Sequence, residues 1–334
     1  MHCPTLKELP SPPPDRQGWP WTEESPQLPN IMPDESSWPR ISVVTPSFNQ
    51  GRYIEETIRS VLLQGYPDLE YIVVDGGSTD GSLDIIRKYE PWLARWISEP
   101  DHGQSDAINK GVRMATGEIV NWINSDDCLH SGALKVVAQT YSSRPGSLVI
   151  GAGVDFDETT GRGTLLVPKR ITVQHIVRFW EGWFGWLQPS IFFPRSVFQR
   201  VGGLDENLHL VMDIDLYCRL MQVIPAVYIS EPVSKYRRHR SAKTQAQYHD
   251  MMLEYAIAVS KYKSVLEQNE HEAYESQVIL FFLRRSRRLL LDRQFRILSK
   301  YLRSSLRRSW FTTAFTLCKL AFLKFGFIRH RSSV

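Results

Sequence analysis

What most constrains the fold of this chain is a rhythm that begins at Ile41, where short, continuously apolar runs alternate with stretches of helical period. Ile41-Ser42-Val43-Val44-Thr45 reads as a strand, and Ile54, Ile58, Val61 and Leu62 then recur at helical spacing. Tyr71-Ile72-Val73-Val74 reads as a second strand, followed by a helix carrying Leu83, Ile86 and Tyr89 that stops before Pro91. Arg95-Trp96-Ile97-Ser98 is a short third strand, residues 104–115 a helix and residues 118–123 a fourth strand. A helix over about 131–141 and the strand Leu148-Val149-Ile150 complete the set. Strands that are apolar without alternation are covered on both faces, and strands joined through helices run parallel. The expected fold class is therefore α/β: a mostly parallel sheet flanked by helices, with residues 41–150 as a nucleotide-binding-like half.

Parallel strands place their C-terminal ends on one side of the sheet, where open α/β folds bind ligands. Thr45-Pro46 follows the first strand, Asp75 the second, and Asn124-Ser125-Asp126-Asp127 the fourth. The adjacent carboxylates Asp126 and Asp127 repel each other unless a cation sits between them, and hard divalent cations prefer such oxygens. The competing reading is a polar turn, with Asp127 or Ser131 capping the next helix. In Asp75-Gly76-Gly77-Ser78-Thr79-Asp80 the glycines let the backbone approach a ligand, and Asp75 can accept hydrogen bonds from a base imide or a ribose hydroxyl. Alternatively this is a turn into a helix capped by Ser78 or Asp80.

Apolar content of 42% and charged content of 23% are ordinary for a soluble globular protein. The net charge of +4 is unevenly placed: residues 271–334 carry 14 Lys and Arg against 3 Asp and Glu, and residues 1–270 carry 26 against 33. Such a basic tail suggests an anionic surface as partner. Cys3, Cys128, Cys218 and Cys318 show no zinc-type spacing and read as reduced thiols of a cytoplasmic protein. The N-terminus lacks a basic-then-apolar pattern, so no secretory signal is expected. Residues 1–40 hold 10 of the 20 prolines and read as an extended lead-in, disordered or draped over the body, that Trp19, Trp21 and Trp38 could pin down. In the second half, residues 180–193 are rich in Trp, Phe and Gly, residues 213–223 read as a helix, Ala226-Val227-Tyr228-Ile229 as a strand, and residues 246–268 and 273–308 as helices.

The chain resembles the family 2 glycosyltransferases, whose architecture is the A-type glycosyltransferase fold with a Rossmann-like nucleotide-binding half. The resemblance is carried by Val44–Asn49, Val73–Gly81, Gln104–Gly111, Asn124–Asp127, Gly202-Gly203-Leu204-Asp205 and Met212–Tyr217, in family order, over residues 41–244. It implies a catalytic domain of residues 41–245, with an acceptor half over 151–245 and a helical tail over 246–334. It also implies a nucleotide-sugar donor, usually a UDP-sugar, inverting hexosyl transfer to a hydroxyl, and Mn²⁺ or Mg²⁺ bridging the diphosphate. Carried over, Thr45, Pro46, Asn49, Asp75, Gly77 and Ser125 would hold the donor, and the strip Gln104, Ser105, Asp106 and Asn109 would touch ribose, phosphate or sugar. Asp126, with Asp127 beside it and His239 in reach, would bind the metal. An inverting transferase needs a base to take the acceptor proton, and Asp213 aligns with it, with Asp215 in reserve. Trp183, Phe184, Trp186, Gln188 and Pro189 would form the acceptor wall, although aromatic residues also suit an ordinary core.

Three positions depart from the family pattern: Gly76 occupies a place that is often acidic, Asn124 a place that is often Asp, and Met212 a place that is often Glu. Asn124 and Met212 support one rival reading, a catalytically degenerate member that binds nucleotide sugars or serves as a scaffold. A nucleotidyltransferase would carry a Gly-rich, Lys- or Arg-bearing loop after the first strand, and the turn from Thr45 to Gly51 lacks it. In the tail, residues 310–327 are largely apolar but include Lys319 and Lys324, each costing roughly 2.5–3.5 kcal/mol at mid-bilayer, so a helix lying in the membrane interface fits better than a spanning one. The expected setting is the cytoplasmic face of a membrane with a saccharide or lipid-linked acceptor of cell-surface polysaccharide or glycolipid synthesis. The tail's Phe and Leu content argues against nucleic acid as partner.

Overall fold

A computed structural model describes residues 3–182, 185–291, 299, 300, 303 and 307. The chain divides into two compact units, Met1–Thr172 with Phe184–Ala246 and Val173–Trp183 with Gln247–Val334. In the first unit the predicted alternation forms as β1 (Ile41–Ser47), α1 (Ile54–Leu62), β2 (Leu69–Asp75), α2 (Ser82–Tyr89), β3 (Arg95–Ser98), α3 (Gln104–Met114) and β4 (Ile119–Trp122). β1 lies between β2 and β4 and is parallel to both, and β3 runs parallel to β2. Every residue of β1, β2 and β4 is buried, which is why these runs carry no polar alternation. A Cβ on Gly111 of α3 would collide with Val44 Cγ1, so a glycine there lets the helix seat closely on β1.

The chain continues through β5 (Cys128–Leu129), α4 (Ala133–Ser143), β6 (Leu148–Asp157) and β7 (Arg162–Leu166). After α5 (Val173–Val177), which belongs to the second unit, come β8 (Ile191–Pro194), α6 (Arg195–Arg200), α7 (Met212–Met221), β9 (Ala226–Arg238) and α8 (Lys243–Ala246). The sheet order is β3-β2-β1-β4-β8-β6-β9-β5, with β7 paired to β6. β8 is antiparallel to both β4 and β6, β9 is parallel to β6, and β5 is antiparallel to β9. The sheet is thus parallel over β1–β4 and mixed beyond, the A-type glycosyltransferase architecture.

The largest differences from the sequence reading are in the mixed part. Leu148–Ile150 extends to Asp157, and Ala226–Ile229 extends to Arg238. Pro232 lies inside β9, where a register shift between Gly151 and Gly153 accommodates it, Gly151 pairing with Ile229 and Ala152 with Pro232. β9 therefore continues past the proline and returns to the end of the parallel sheet. β5, β7 and β8, at 2, 5 and 4 residues, were not read from sequence.

The lead-in is draped over the first unit and pinned by its tryptophans. Trp19 Nε1 donates to the Leu129 carbonyl at 2.9 Å, and Trp38 Nε1 to that of Pro29 at 2.8 Å. Arg59 of α1 is fully buried beneath Trp21 and donates to the carbonyls of Pro10, Pro20 and Trp21, which offsets the desolvation of its charge. Cys3, Cys128 and Cys218 are buried free thiols; burial pushes the Cys3 thiol up to about 12, well away from the reactive thiolate. Cys318 lies outside the described residues.

Among the described residues the second unit holds α5, α9 (Tyr248–Ser260) and α10 (Gln268–Leu291), where helices were expected over 246–268 and 273–308; most of 292–308 lies outside the described residues. Phe179 packs on Tyr255 and Phe281, with ring centroids 5.2 and 4.9 Å apart, and Arg178 pairs with Glu270. Among the described residues no helix is long and apolar enough to cross a membrane. The apolar stretch 310–327, expected to lie in a membrane interface, falls outside the described residues.

Candidate active site

A cavity of about 290 Å³ opens at the ends of β1 and β4. Pro46 at the end of β1, Phe48 just after it, Ser125 and Asp126 after β4, Asp213 of α7 and Arg237 of β9 are among the residues that line it.

The two carboxylates of the acidic turn have separate tasks. Asp127 is 1% exposed and does not line the cavity. Its Oδ1 accepts the Arg237 backbone N–H at 2.8 Å, and its Oδ2 lies 3.3 Å from Asn124 Nδ2. Burial, reinforced by the neighbouring Asp126, raises its pKa well above its ordinary value; buried and bonded to the Arg237 N–H, it is an anchor for β9 rather than an exposed anion. Asp126 does line the cavity, and its Oδ2 lies 2.9 Å from Nε2 of buried His239. His239 Nδ1 is 2.9 Å from Ser241 Oγ, and its ring packs on Tyr53 at 4.7 Å. Arg237 Nε donates to the Asp126 carbonyl at 2.9 Å, while Nη2 pairs with Glu56 at 2.8 Å. Burial would raise the Glu56 pKa, but Arg237 and Lys235 outweigh it and hold the carboxyl below its ordinary value. Asp126 thus stands at the cavity with the imidazole of buried His239 directly against it, a carboxylate and imidazole of the donor types that suit Mn²⁺ and similar divalent cations. Among the described residues no cluster of three or more His, Cys, Asp or Glu could hold a metal by itself, so such an ion would take further ligands from substrate and water.

Several residues expected to touch the donor instead build the loops around it. Thr45 Oγ1 shares a hydrogen bond with Tyr71 Oη at 3.0 Å, inside the core. Asn49 stitches the β1 and β2 loops together, its N–H donating to Ser78 Oγ at 2.8 Å and its Oδ1 accepting Thr79 N–H at 2.9 Å. Asp75 Oδ2 accepts the N–H groups of Gly77 and Ser78 and the Ser98 hydroxyl, and its Oδ1 accepts the Ser78 hydroxyl. Its oxygens are committed to the Gly77 turn, and neither Asp75 nor Gly77 lines the cavity. On α3, Ser105 Oγ donates to the Leu208 carbonyl at 3.2 Å, and Asp106 accepts His102 N–H and pairs with Lys110. Asn109 bonds Leu204 in both directions, at 3.0 and 2.9 Å. Ser105 and Asn109 thereby fasten the loop that leads into α7.

On the other side, Asp213 in the first turn of α7 lines the cavity, and its Oδ1 accepts Ile214 N–H at 2.9 Å. Asp215 is 1% exposed, paired with Arg219 at 2.8 Å, and does not line the cavity. Trp186 is buried against Tyr217, ring centroids 5.1 Å apart, as core rather than wall. Trp183 and Phe184 lie outside the described residues. Gln188 lines the cavity and donates to the Trp122 carbonyl at 2.8 Å. A polar chain crosses the site: Lys243 Nζ donates to Gln104 Oε1 at 3.0 Å, Gln104 Nε2 to Asn124 Oδ1 at 2.7 Å, and Asn124 Nδ2 to Gln188 Oε1 at 3.1 Å. Asn124 both accepts and donates here, which a carboxylate could not do; that accounts for Asn at this position.

Phe48, Asp101 and His209 also line the cavity and were not assigned from sequence. Asp101 lies just beyond the end of β3 and Asp75 is the last residue of β2, so the strand-end argument extends to Asp101; Phe48 and His209 carry no such signal.

The sheet order is that expected of the A-type glycosyltransferase fold. The family model for glycosyl transferase family 2 matches residues 42–201. An uncharacterised glycosyltransferase of Mycobacterium tuberculosis is 31% identical over 202 residues, covering 60% of this chain and 73% of that one. Among solved structures, S. aureus TarS 1–349 in complex with UDP-GlcNAc superposes with a TM-score of 0.54 at 16% identity, covering 82% of this chain and 90% of that one. The chain spans 42% of a longer TarS chain. The mannosyltransferase PcManGT from Pyrobaculum calidifontis, in complex with GDP-Man and Mn²⁺, superposes at 0.52 with 20% identity, covering 88% and 83%. The chain belongs to glycosyltransferase family 2.

Proposed function

We propose that the cavity binds a nucleotide sugar and a hydroxyl acceptor, and transfers the sugar with inversion in a metal-dependent reaction. The observation that carries this reading is that Asp126 from the parallel half and Asp213 from the mixed half line one cavity. Asp126 and His239 would hold Mn²⁺ or Mg²⁺. The ion's contribution is to neutralise the charge that develops on the departing diphosphate. Arg237 and Lys243 add positive charge to the same cavity. Asp213 would take the proton from the acceptor hydroxyl as that oxygen bonds to the anomeric carbon. The bond from that carbon to the diphosphate breaks on the opposite face, its electron pair leaving with the nucleoside diphosphate. Asp215, ion-paired with Arg219, is not part of this step.

Purified protein given UDP- and GDP-sugars should release nucleoside diphosphate only with Mn²⁺ or Mg²⁺ present. Undiminished release in chelator would remove the metal from the mechanism. The basic tail supports a place at the cytoplasmic face of a membrane, near a saccharide or lipid-linked acceptor for cell-surface polysaccharide or glycolipid synthesis. Flotation with anionic liposomes tests this, and a protein that stays at the bottom of the gradient would count against membrane contact.

A further inference from the structure

The turn that carries Asp126 runs directly into β5, a strand of two residues at the edge of the sheet, paired to β9. An edge strand leaves its outer N–H and C=O groups without sheet partners. Here side chains take them. Thr57 and Ser60 lie three residues apart on one face of α1. Thr57 Oγ1 donates to the Asp127 carbonyl at 2.7 Å, and Ser60 Oγ accepts the Leu129 N–H at 3.1 Å. Gln64, just past α1, donates to the His130 carbonyl at 2.9 Å. The proline-rich lead-in supplies the rest. Trp19 Nε1 donates to the Leu129 carbonyl at 2.9 Å. Buried Ser25 accepts the Gly132 N–H on its Oγ at 2.9 Å and shares a hydrogen bond with Ser131 Oγ at 3.0 Å.

The lead-in also grips α1. The Ser25 N–H donates to the Leu63 carbonyl at 3.0 Å, and the Leu28 N–H to that of Gly65 at 2.9 Å. Gly65 has φ +61°, and a Cβ there would collide with the Pro26 carbonyl, so a bare position admits the lead-in this closely. The buried guanidinium of Arg59 takes the carbonyls of Pro10, Pro20 and Trp21. A charge in the core needs such partners, so the seat demands an ordered lead-in.

We propose that the lead-in is a positioning element of the candidate site: Trp19 and Ser25 fix the segment that follows Asp126 and Asp127, and Arg59 locks the lead-in to the helix that holds the same segment. The assignment rests on the reading that Asp126 holds the metal ion and goes further by naming what holds Asp126. An ion with few protein ligands gains most from ligands fixed in place before it arrives, and partners behind a ligand set its orientation.

The test compares three full-length proteins: the parent, Trp19→Phe/Ser25→Ala and Trp38→Phe. Trp38 also pins the lead-in, but on the Pro29 carbonyl rather than on this segment. Amide hydrogen exchange over residues 124–132 should be at least roughly fivefold faster in the double variant, the scale of losing such hydrogen bonds, and unchanged in Trp38→Phe. Calorimetric titration of UDP and GDP should show the gain in affinity that Mn²⁺ brings reduced about fivefold in the double variant and intact in Trp38→Phe, with Mn²⁺-free binding alike in all three. Should the double variant fold poorly, Trp19→Phe alone keeps the ring, loses the N–H and should change both readouts by roughly twofold or more. Parental exchange over 124–132 in the variants overturns the proposal. Faster exchange with an undiminished Mn²⁺ gain, or equal losses in Trp38→Phe, overturns the positioning role and leaves a structural one. A parent in which Mn²⁺ brings no gain for either nucleotide overturns the metal reading itself, while the exchange result still decides whether the lead-in holds the turn.

Discussion

In the parallel half, strand direction alone gathers the site: β1, β2 and β4 end on one side, and Pro46 and Asp126 follow from where those strands stop. In the mixed half the site is assembled at long range. Arg237 and His239 meet the Asp126 turn because β9 runs 13 residues, past Pro232, to pair with β5. The first construction is local and periodic, the second depends on pairings between distant segments. The difference teaches that a strand end locates a site, while the return strand decides which of its residues face the ligand and which are tied down.

The sharpest break in this comparison is between adjacent residues of one turn. Asp126→Ala should cut turnover by ~10³-fold or more, the scale of removing a principal electrostatic contact in a water-poor site; near-parental turnover would break the assignment. Asp213→Asn should lower kcat by ~10²–10⁴-fold, the usual worth of a general base, with KM for the donor little changed. If KM rises instead, Asp213 holds the donor rather than the proton. Asp127→Asn should change turnover by only about twofold, since an asparagine oxygen can still accept the Arg237 N–H. The Asp127 pKa is raised by burial, so the carboxyl favours folding when protonated, and that contribution is lost as pH rises from the ordinary carboxylate value through its folded pKa. Thermal melts of Asp127→Asn should therefore match or exceed the parent at neutral pH, and a large fall in Tm would contradict the anchor assignment.

The smallest effect is the opposite case. The Glu56 pKa is lowered in the fold, so its contribution is present above the ordinary value and lost as pH falls through the folded pKa. Melts from about pH 6 down to about pH 3 should show a shallower acid loss in Glu56→Gln than in the parent. Parallel curves would mean that the Glu56–Arg237 pair contributes nothing net to holding β9.

The parallel half was legible because burial on both faces leaves continuous apolar runs, and the strand ends then name the crevice. Asp126, Asp213, Pro46, Ser125 and Gln188, all named from sequence or resemblance, do line the cavity. Thr45, Asn49, Asp75 and Asn109 do not, because a motif shows residue type but not which way its hydrogen bonds turn. Asp75 and Asn109 spend theirs on neighbouring backbone. β9 was cut short at Ile229 because a strand that continues through a register shift leaves no mark in hydrophobic period. Phe48 was passed over because an exposed ring in a turn looks like any other loop residue.

The account turns on Asp126 and Asp213 serving one bound donor in separate ways. The direct measurement is a titration of nucleoside diphosphate into the Asp126→Ala and Asp213→Asn proteins side by side, each with and without Mn²⁺. Asp213→Asn should bind like the parent and keep the gain in affinity that Mn²⁺ brings, whereas Asp126→Ala should lose that gain. Retention of the Mn²⁺ effect in Asp126→Ala, or its loss in Asp213→Asn, would contradict the account.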